Sequence, residues 1–451
     1  MSSLFDQSAL VSIAERLVAA ARRAGADAAD AVAVRGVSQS IELREGSVEE
    51  SARAEDDDVG LRVFVGRRQA VVSTNDLSNE GVDALAERAV AMARVAPEDP
   101  YAGLAEQTQL ACGDAGALDL LDPDMPDIRV LEERARAAEA AALAVKGVTK
   151  SGGASASAGV GGLVLVTSGG FTGCYLGSRH SVSVQAIAGD GTAMERDHDY
   201  ASAVYACDLQ PPESIGRTAG ERAVKRLNPR KVKTQRVPVV FESRIAGTLL
   251  GHLTSAINGS AIARKTSFLR GRLDEKLFPA GTRVIDDPHR RRGLRSHPFD
   301  AEGVAGRRRA LIDDGVLTTF LLDCATAREL GMETTGHAQR GVSSPPSPGA
   351  SNVHLEPGDV TPEAMIGDID QGFFVTDLIG MGVNMVTGDY SRGAAGFWIE
   401  RGALTFPVSE VTIAGNLVDM FASLRPANDL VFRYGINAPT VRVEGVTVAG
   451  I

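Results

Sequence analysis

Val386-Thr387-Gly388-Asp389-Tyr390-Ser391-Arg392-Gly393-Ala394-Ala395-Gly396-Phe397-Trp398-Ile399-Glu400 holds three glycines, two acids, a base and the only Trp of the chain. Glycines at this density mark backbone that takes positive φ or approaches a neighbour closely. The stretch reads as a glycine-rich loop up to Gly396, then a strand through Phe397, Trp398 and Ile399. Glu400-Arg401-Gly402 is a tight turn, and Ala403 to Val408 the returning strand. This predicts a glycine-rich loop feeding a β-hairpin in a β-rich domain. Such a loop serves binding or assembly, or is an irregular turn.

Working outward, residues 243–257 are the one clear helix of this half, with Ile245, Leu249, Leu253 and Ile257 four apart and Ser243 as its expected N-cap. Val237 to Phe241 precedes it as a strand, and Thr440 to Val448 alternates as the last strand. Short strands and Gly/Pro turns fill the rest, including the Pro-rich loop at 345–349. Basic residues Arg230, Lys231, Lys233 and Arg236 mark a boundary, giving a β-rich C-terminal domain over 231–451.

The N-terminal half alternates helix and strand. Residues 8–24 have a helical period ended by Gly25. Three or four antiparallel strands follow, with turns expected near Gly36, Gly46, Asp56-Asp57-Asp58 and Gly66. Ser78 is a good N-cap for a helix over about 79–94, completing an α+β unit over 1–95. Pro, Asp and Gly dominate the connecting segment 96–127. A central α+β unit over 128–230 begins with a helix at about 128–146. The Gly/Ser/Ala run 151–162 reads as a small-residue strand continuing into Leu163 to Val166. Ser181 to Ile187 is another strand, and a helix near 213–227 closes the unit. The predicted class is α+β: an N-terminal portion with an antiparallel sheet, followed by a β-rich C-terminal domain.

Composition narrows the function. The chain has 451 residues and a formal charge of −11, which disfavours nucleic acid and anionic membrane as partners. Cys112, Cys174, Cys207 and Cys324 show no CxxC spacing and fit reduced thiols. No leader is visible at Met1 to Asp6, and no apolar run reaches membrane-spanning length. These readings predict a cytoplasmic protein.

Candidate chemistry is sparse. None of the seven histidines is followed by Glu, and no two are four or five apart, so the zinc-helix pattern of metallopeptidases is absent. His252, on the clear helix, is a candidate ligand or base; at the edge of an apolar face a histidine is more often a packed, hydrogen-bonded residue. Ser267 lacks a nucleophile elbow and reads as a turn serine. Asp286-Asp287 and Asp300-x-Glu302 are paired carboxylates, expected as solvated turn residues. His289-Arg290-Arg291-Arg292, Arg295 and Arg307-Arg308-Arg309 form a basic patch, read as a solvated face or an intersubunit surface.

Several collinear blocks over about 237–425 resemble the TldD/PmbA family (modulator of DNA gyrase), in its PmbA/TldE branch. They include Gly251-His252-Leu253, Arg264-Lys265-Thr266-Ser267-Phe268-Leu269, Pro298-Phe299-Asp300-x-Glu302-Gly303-Val304, Thr335-Gly336-His337-Ala338, Thr387 to Trp398, and Thr412-Ile413-Ala414-Gly415-Asn416-Leu417. Gly60 to Val63 and Ser73 to Ser78 match more loosely. The resemblance implies a ring-like dimer. A TldD-type subunit in that family carries His-Glu-x3-His and a later Cys that hold zinc, and its TldE-type partner lacks them. The pair acts as a peptidase on unfolded or leader peptides. The zinc helix corresponds to residues 246–260 here, where the ligands are missing, and Asn428 to Pro439 contains no Cys.

The expectation is therefore a TldE-like subunit without catalytic or metal-binding residues, paired with a zinc-bearing TldD-type subunit or with itself, and holding an extended peptide. Thr387, Gly388, Asp389, Ser391, Arg392, Gly393 and Trp398 are its candidate peptide or interface residues, and His252 a vestigial-site residue. A non-enzymatic binding protein, or a hydrolase using His252 with Ser267 or Asp300/Glu302, are the alternatives.

Overall fold

The computed structural model describes residues 6–112 and 115–451. The fold is α+β. Six antiparallel strands form the first sheet: β1 (Ala28–Arg44), β2 (Ser47–Val65), β3 (Arg68–Thr74), β4 (Val148–Thr167), β5 (Thr172–Ala188) and β6 (Glu195–Ala203), in the order β3-β2-β1-β4-β5-β6. Residues of both N-terminal units thus build one sheet. Helices α1 (Ser8–Arg23) and α2 (Asn79–Val95) pack on one half of a face, and α3 (Ile128–Leu143) and α4 (Pro212–Lys225) on the other half.

Local chemistry explains these elements. Beyond α1, Gly25 takes φ +101°. Its N–H reaches Arg22 and that of Ala26 reaches Ala21, the paired bonds of a Schellman cap. Ser78 caps α2 by accepting from the Gly81 N–H at 3.0 Å. The Gly/Ser/Ala run is strand β4, with Ala154, Ala156 and Ala158 buried under Ala135, Ala138 and Ala142 of α3. Small side chains on both elements permit that close approach.

Two expected turns are absent. Gly36 and Asp56-Asp57-Asp58 lie within β1 and β2, which pair in register from Ala28–Phe64 out to Arg44–Ser47. The acids sit on the exposed part of this ribbon, where Asp57 pairs with Arg35 at 2.7 Å. Water and a cross-strand cation solvate them, so a strand tolerates them.

In the C-terminal domain, β7 (Gln235–Phe241), β8 (Gln371–Ile379), β9 (Asp389–Glu400), β10 (Ala403–Asn416) and β11 (Val441–Ala449) run in the order β10-β9-β8-β7-β11. Thr412, Ile413 and Ala414 of β10 also pair with β11, closing the sheet. Closure removes the free edges that open sheets expose. Helix α5 (Ser243–Ala256) lays Leu249, Leu250 and Leu253 into the core that holds Val239, Phe241, Phe373, Trp398 and Ile413. Each such leucine contributes about 2 kcal/mol by leaving water. Ser243 is not the N-cap of α5. Glu242 holds that position without a side-chain cap, its carboxylate turned to Arg222 and Arg244. Four shorter helices, Gly259–Ala263, Cys324–Leu330, Pro362–Gly367 and Leu417–Ser423, accompany α5, more than the sequence pattern showed.

The sheet face opposite α1–α4 meets the C-terminal domain through buried charge. Arg62 binds Asp30 at 2.6 Å and Glu302 at 3.5 Å, and Arg340 binds Asp30 at 2.5 Å. Burial alone would raise the Asp30 carboxyl. Arg340 and Arg62 overcome it and hold the group below the usual carboxylate range.

Candidate functional site

The stretch 389–400 is a strand throughout, so the expected loop ends at Gly388. Two glycines have identifiable work there. Gly388 takes φ +82°, and a Cβ on Gly396 would lie 2.0 Å from the Phe374 carbonyl oxygen. Gly396 lets β9 pass β8 where both strands carry register shifts. Arg401 and Gly402 both take positive φ and close the hairpin to β10.

Strand geometry places Tyr390 and Arg392 on one face, the face turned to His252 of α5. The Tyr390 and His252 rings meet edge to face at 5.9 Å. Nε2 of His252, the hydroxyl of Tyr390 and Nε of Arg392 are buried and lack a hydrogen-bond partner among the described residues. Tyr390 and Arg392 interact with each other, and Nη2 of Arg392 reaches the Leu378 carbonyl at 3.5 Å; buried polar atoms are nearly always paired, so these under-satisfied groups around His252 mark a place that a ligand group can satisfy. Burial, and then the Arg392 charge, push His252 down to about 4. Burial pushes Tyr390 up to about 12. The nook at neutral pH therefore offers a neutral imidazole, a phenol and a guanidinium, suited to a peptide carbonyl or carboxylate.

The other expected site residues divide clearly. Thr387 and Asp389 are exposed and joined, the Thr387 hydroxyl donating to Asp389 at 2.6 Å, with Asn416 donating to Asp389 at 3.2 Å. Those two bonds hold the Asp389 carboxyl below its usual range. Ser391 is exposed, and its N–H bonds the Gly382 carbonyl at 2.6 Å. Gly393 packs on Ile379. Trp398 does not join them: it is 4% exposed, in the core beside Phe373. It lies on the same face of the strand as Tyr390, deeper in the shared core.

No hydrogen bond links His252 to Ser267, Asp300 or Glu302. Ser267 is a buried turn residue, donating to the Ala256 carbonyl and accepting from the Leu269 N–H. Of the paired acids, Asp286, Asp300 and Glu302 are buried, contrary to the solvated turns expected, while Asp287 is half-buried. Asp300 accepts the N–H groups of Glu302, Val304 and Ala338 at 2.9–3.0 Å. Burial beside Glu302 nevertheless pushes it up to about 7. Asp286 is fully buried between His337 Nε2 at 2.6 Å and Ser351. Such buried acids are legible only from tertiary contacts. Among the described residues no three His, Cys, Asp or Glu side chains converge as a metal site. The nook offers one imidazole nitrogen beside a fixed cation, which does not fit a zinc centre.

Family models of the PmbA/TldA metallopeptidases match in three consecutive pieces: domain 1 at 29–93, the central domain at 121–227 and the C-terminal domain at 234–450. The chain belongs to the PmbA/TldD metallopeptidase family. Metalloprotease PmbA of Escherichia coli O157:H7 is 38% identical over 426 residues, spanning 94% of this chain and 92% of that protein. A PmbA homologue of Haemophilus influenzae is 36% identical over 95% and 94%. A candidate modulator of DNA gyrase from Bacteroides thetaiotaomicron superposes with TM-score 0.90 at 29% identity, covering 98% of both chains. TldE of Thermococcus kodakarensis shares the fold, with TM-score 0.85 at 21% identity over 97% of this chain and 100% of that one. Among the described residues no helix is long and apolar enough to cross a membrane.

Proposed function

We propose that this PmbA/TldD-family chain is the TldE-like subunit of a cytoplasmic metallopeptidase. The zinc and its general base belong to a TldD-type partner, and this chain holds an extended stretch of an unfolded or leader peptide. The observation that carries the reading is α5. It keeps its packing against the core while its half-exposed side carries His252 in a nook without a metal-ligand set. Tyr390, Arg392 and His252 would bind and orient a peptide carbonyl or carboxylate, and the network Thr387–Asp389–Asn416 holds the rim. None of these residues supplies a nucleophile or a proton relay.

Purification of the chain alone, and together with a relative bearing His-Glu-x3-His, tests this. The expected result is no stoichiometric zinc and no peptide turnover for the chain alone, with both appearing in a stable complex with the relative. Stoichiometric zinc with turnover in the isolated chain would overturn it, as would failure of the two chains to associate.

A further inference from the structure

Two adjoining cavities of about 560 and 450 Å³ lie between the first sheet and the C-terminal domain, sharing Val204, Gly293 and Leu294 in their walls. Arg290 and Arg433 line the smaller one, and Arg295 the larger. Their neighbours Arg291 and Arg292 are neutralised by Asp119 at 2.8 and 2.7 Å, and Arg292 also by Asp208 at 3.0 Å. Arg290, Arg295 and Arg433 have no ion pair among the described residues. Among the acids nearby, Asp208 is paired with Arg292, Asp300 accepts three backbone N–H groups, and Asp287 accepts the His289 N–H while its charge lies near Arg290 without a direct ion pair.

Arg290 is also held in place. Its guanidinium carbon lies 3.3 Å from the centre of the Phe432 ring. His354 meets the same ring edge-on at 5.1 Å. Stacking fixes the plane of the guanidinium and leaves its N–H fork available. A chain of charge −11 thus keeps three guanidiniums without a direct ion pair along one cleft, with the Asp287 charge near Arg290 alone, a local field that attracts anions.

We propose that this cleft binds a carboxylate-bearing segment of an extended peptide. The guanidinium forks of Arg290 and Arg433 take an Asp or Glu side chain, and Arg295 takes a second carboxylate. The larger cavity adds apolar walls from Leu120, Leu163, Tyr175 and Phe299, so the favoured segment has an apolar residue beside its acid. This rests on the reading of the chain as a peptide-holding subunit and gives it a specificity. Nucleic acid fits the cleft less well, because the surrounding net negative charge repels a polyphosphate while one or two carboxylates meet only the local cations.

The test is fluorescence anisotropy with the isolated full chain, which needs neither partner nor zinc. The probe is a fluorescein-labelled unstructured dodecapeptide with three Glu each beside a Leu, compared with the same peptide carrying Gln. The Glu peptide is expected to bind about tenfold tighter in low salt, the preference one or two charge-assisted hydrogen bonds supply. Arg290→Glu with Arg433→Glu should reverse it, favouring a Lys-bearing peptide, with the unfolding midpoint little changed. Equal affinity for the Glu and Gln peptides would overturn the proposal. So would an unreversed preference in the double variant, or displacement of the Glu peptide by a twelve-residue oligothymidine or by millimolar inorganic phosphate. A chain that associates with its zinc-bearing relative yet shows no Glu preference would refute the cleft and leave the subunit assignment standing.

Discussion

Arg62→Met is the sharpest perturbation of the joint between the two halves. Arg62 is 4% exposed and donates to Asp30 from both Nε and Nη2, at 2.8 and 2.6 Å, while facing Glu302 at 3.5 Å. Methionine fills much of the volume but leaves two buried carboxylates short of a cation. Removing one partner of a buried ion pair costs roughly 3–5 kcal/mol. Asp30 keeps Arg340, and Glu302 keeps the Cys324 N–H at 2.8 Å. The loss therefore falls at the lower end, about 3 kcal/mol, or on the order of 100-fold in the folded-to-unfolded ratio. Equilibrium urea unfolding measures it with two signals. Trp398, the only tryptophan, reports on the C-terminal core alone, whereas far-ultraviolet circular dichroism reports on both halves. The variant should lose stability and separate the two signals, with the first sheet melting before Trp398 responds. A cycle with Asp30→Asn should show coupling of about 1 kcal/mol or more. A loss below about 1 kcal/mol with coincident transitions would refute the reasoning, because the network would then behave like a surface pair.

Three further outcomes are expected. Gly396→Ala pushes a methyl to 2.0 Å from the Phe374 carbonyl, so β9 must shift from β8; a loss of about 1–3 kcal/mol in thermal unfolding is expected, and a neutral substitution would show the strands to be looser than described. Burial and the Arg392 charge hold His252 down at about 4, below its ordinary value of 6.5, so its contribution to stability is whole above pH 6.5 and disappears as pH falls from 6.5 to 4, where the unfolded chain takes up a proton first. His252→Gln should flatten that part of the stability profile, and an unaltered slope would contradict the assignment. Arg392→Ala removes a cation beside His252 and one arm of the nook, so the His252 titration followed by NMR should move upward while peptide retention or subunit association weakens; no change in either would return this stretch to a merely structural role.

The elements whose signals are local were legible in the sequence. The α1 and α2 helices announce themselves through period and caps, and β4 emerges from a run that composition alone reads as a linker. The hairpin at Glu400–Gly402 is equally plain. Interruptions within strands misled the reading: Gly36 and Asp56–Asp58 resemble turns, yet hydrogen bonding to both neighbours carries β1 straight through Gly36. The same feature hides part of the site. Read as a loop, Asp389 to Gly396 has no faces; read as a strand, it puts Tyr390 and Arg392 two apart on one side, aimed at His252. Trp398 shows the converse, since its position on the hairpin says nothing about which side the core lies. The buried acids Asp286, Asp300 and Glu302 depend on partners from 2 to 240 positions away, and no periodicity encodes those contacts.

Helix α5 shows why family membership and local chemistry must be argued separately. Ala246, Leu249, Leu250, Leu253 and Ala256 are buried, and packing constrains each of them because a lost methylene group leaves a cavity. Gly251, His252 and Ser255 lie on the side that packing leaves partly free. A metal-binding set on that side can be gained or lost without altering the helix or its angle to the sheet. The fold therefore predicts where chemistry would occur but not whether it does. On α5 the donor set is one imidazole held neutral beside a guanidinium and a phenol. That set is suited to gripping a carbonyl or carboxylate, and placing Arg392 next to the imidazole disfavours any second cation in the nook.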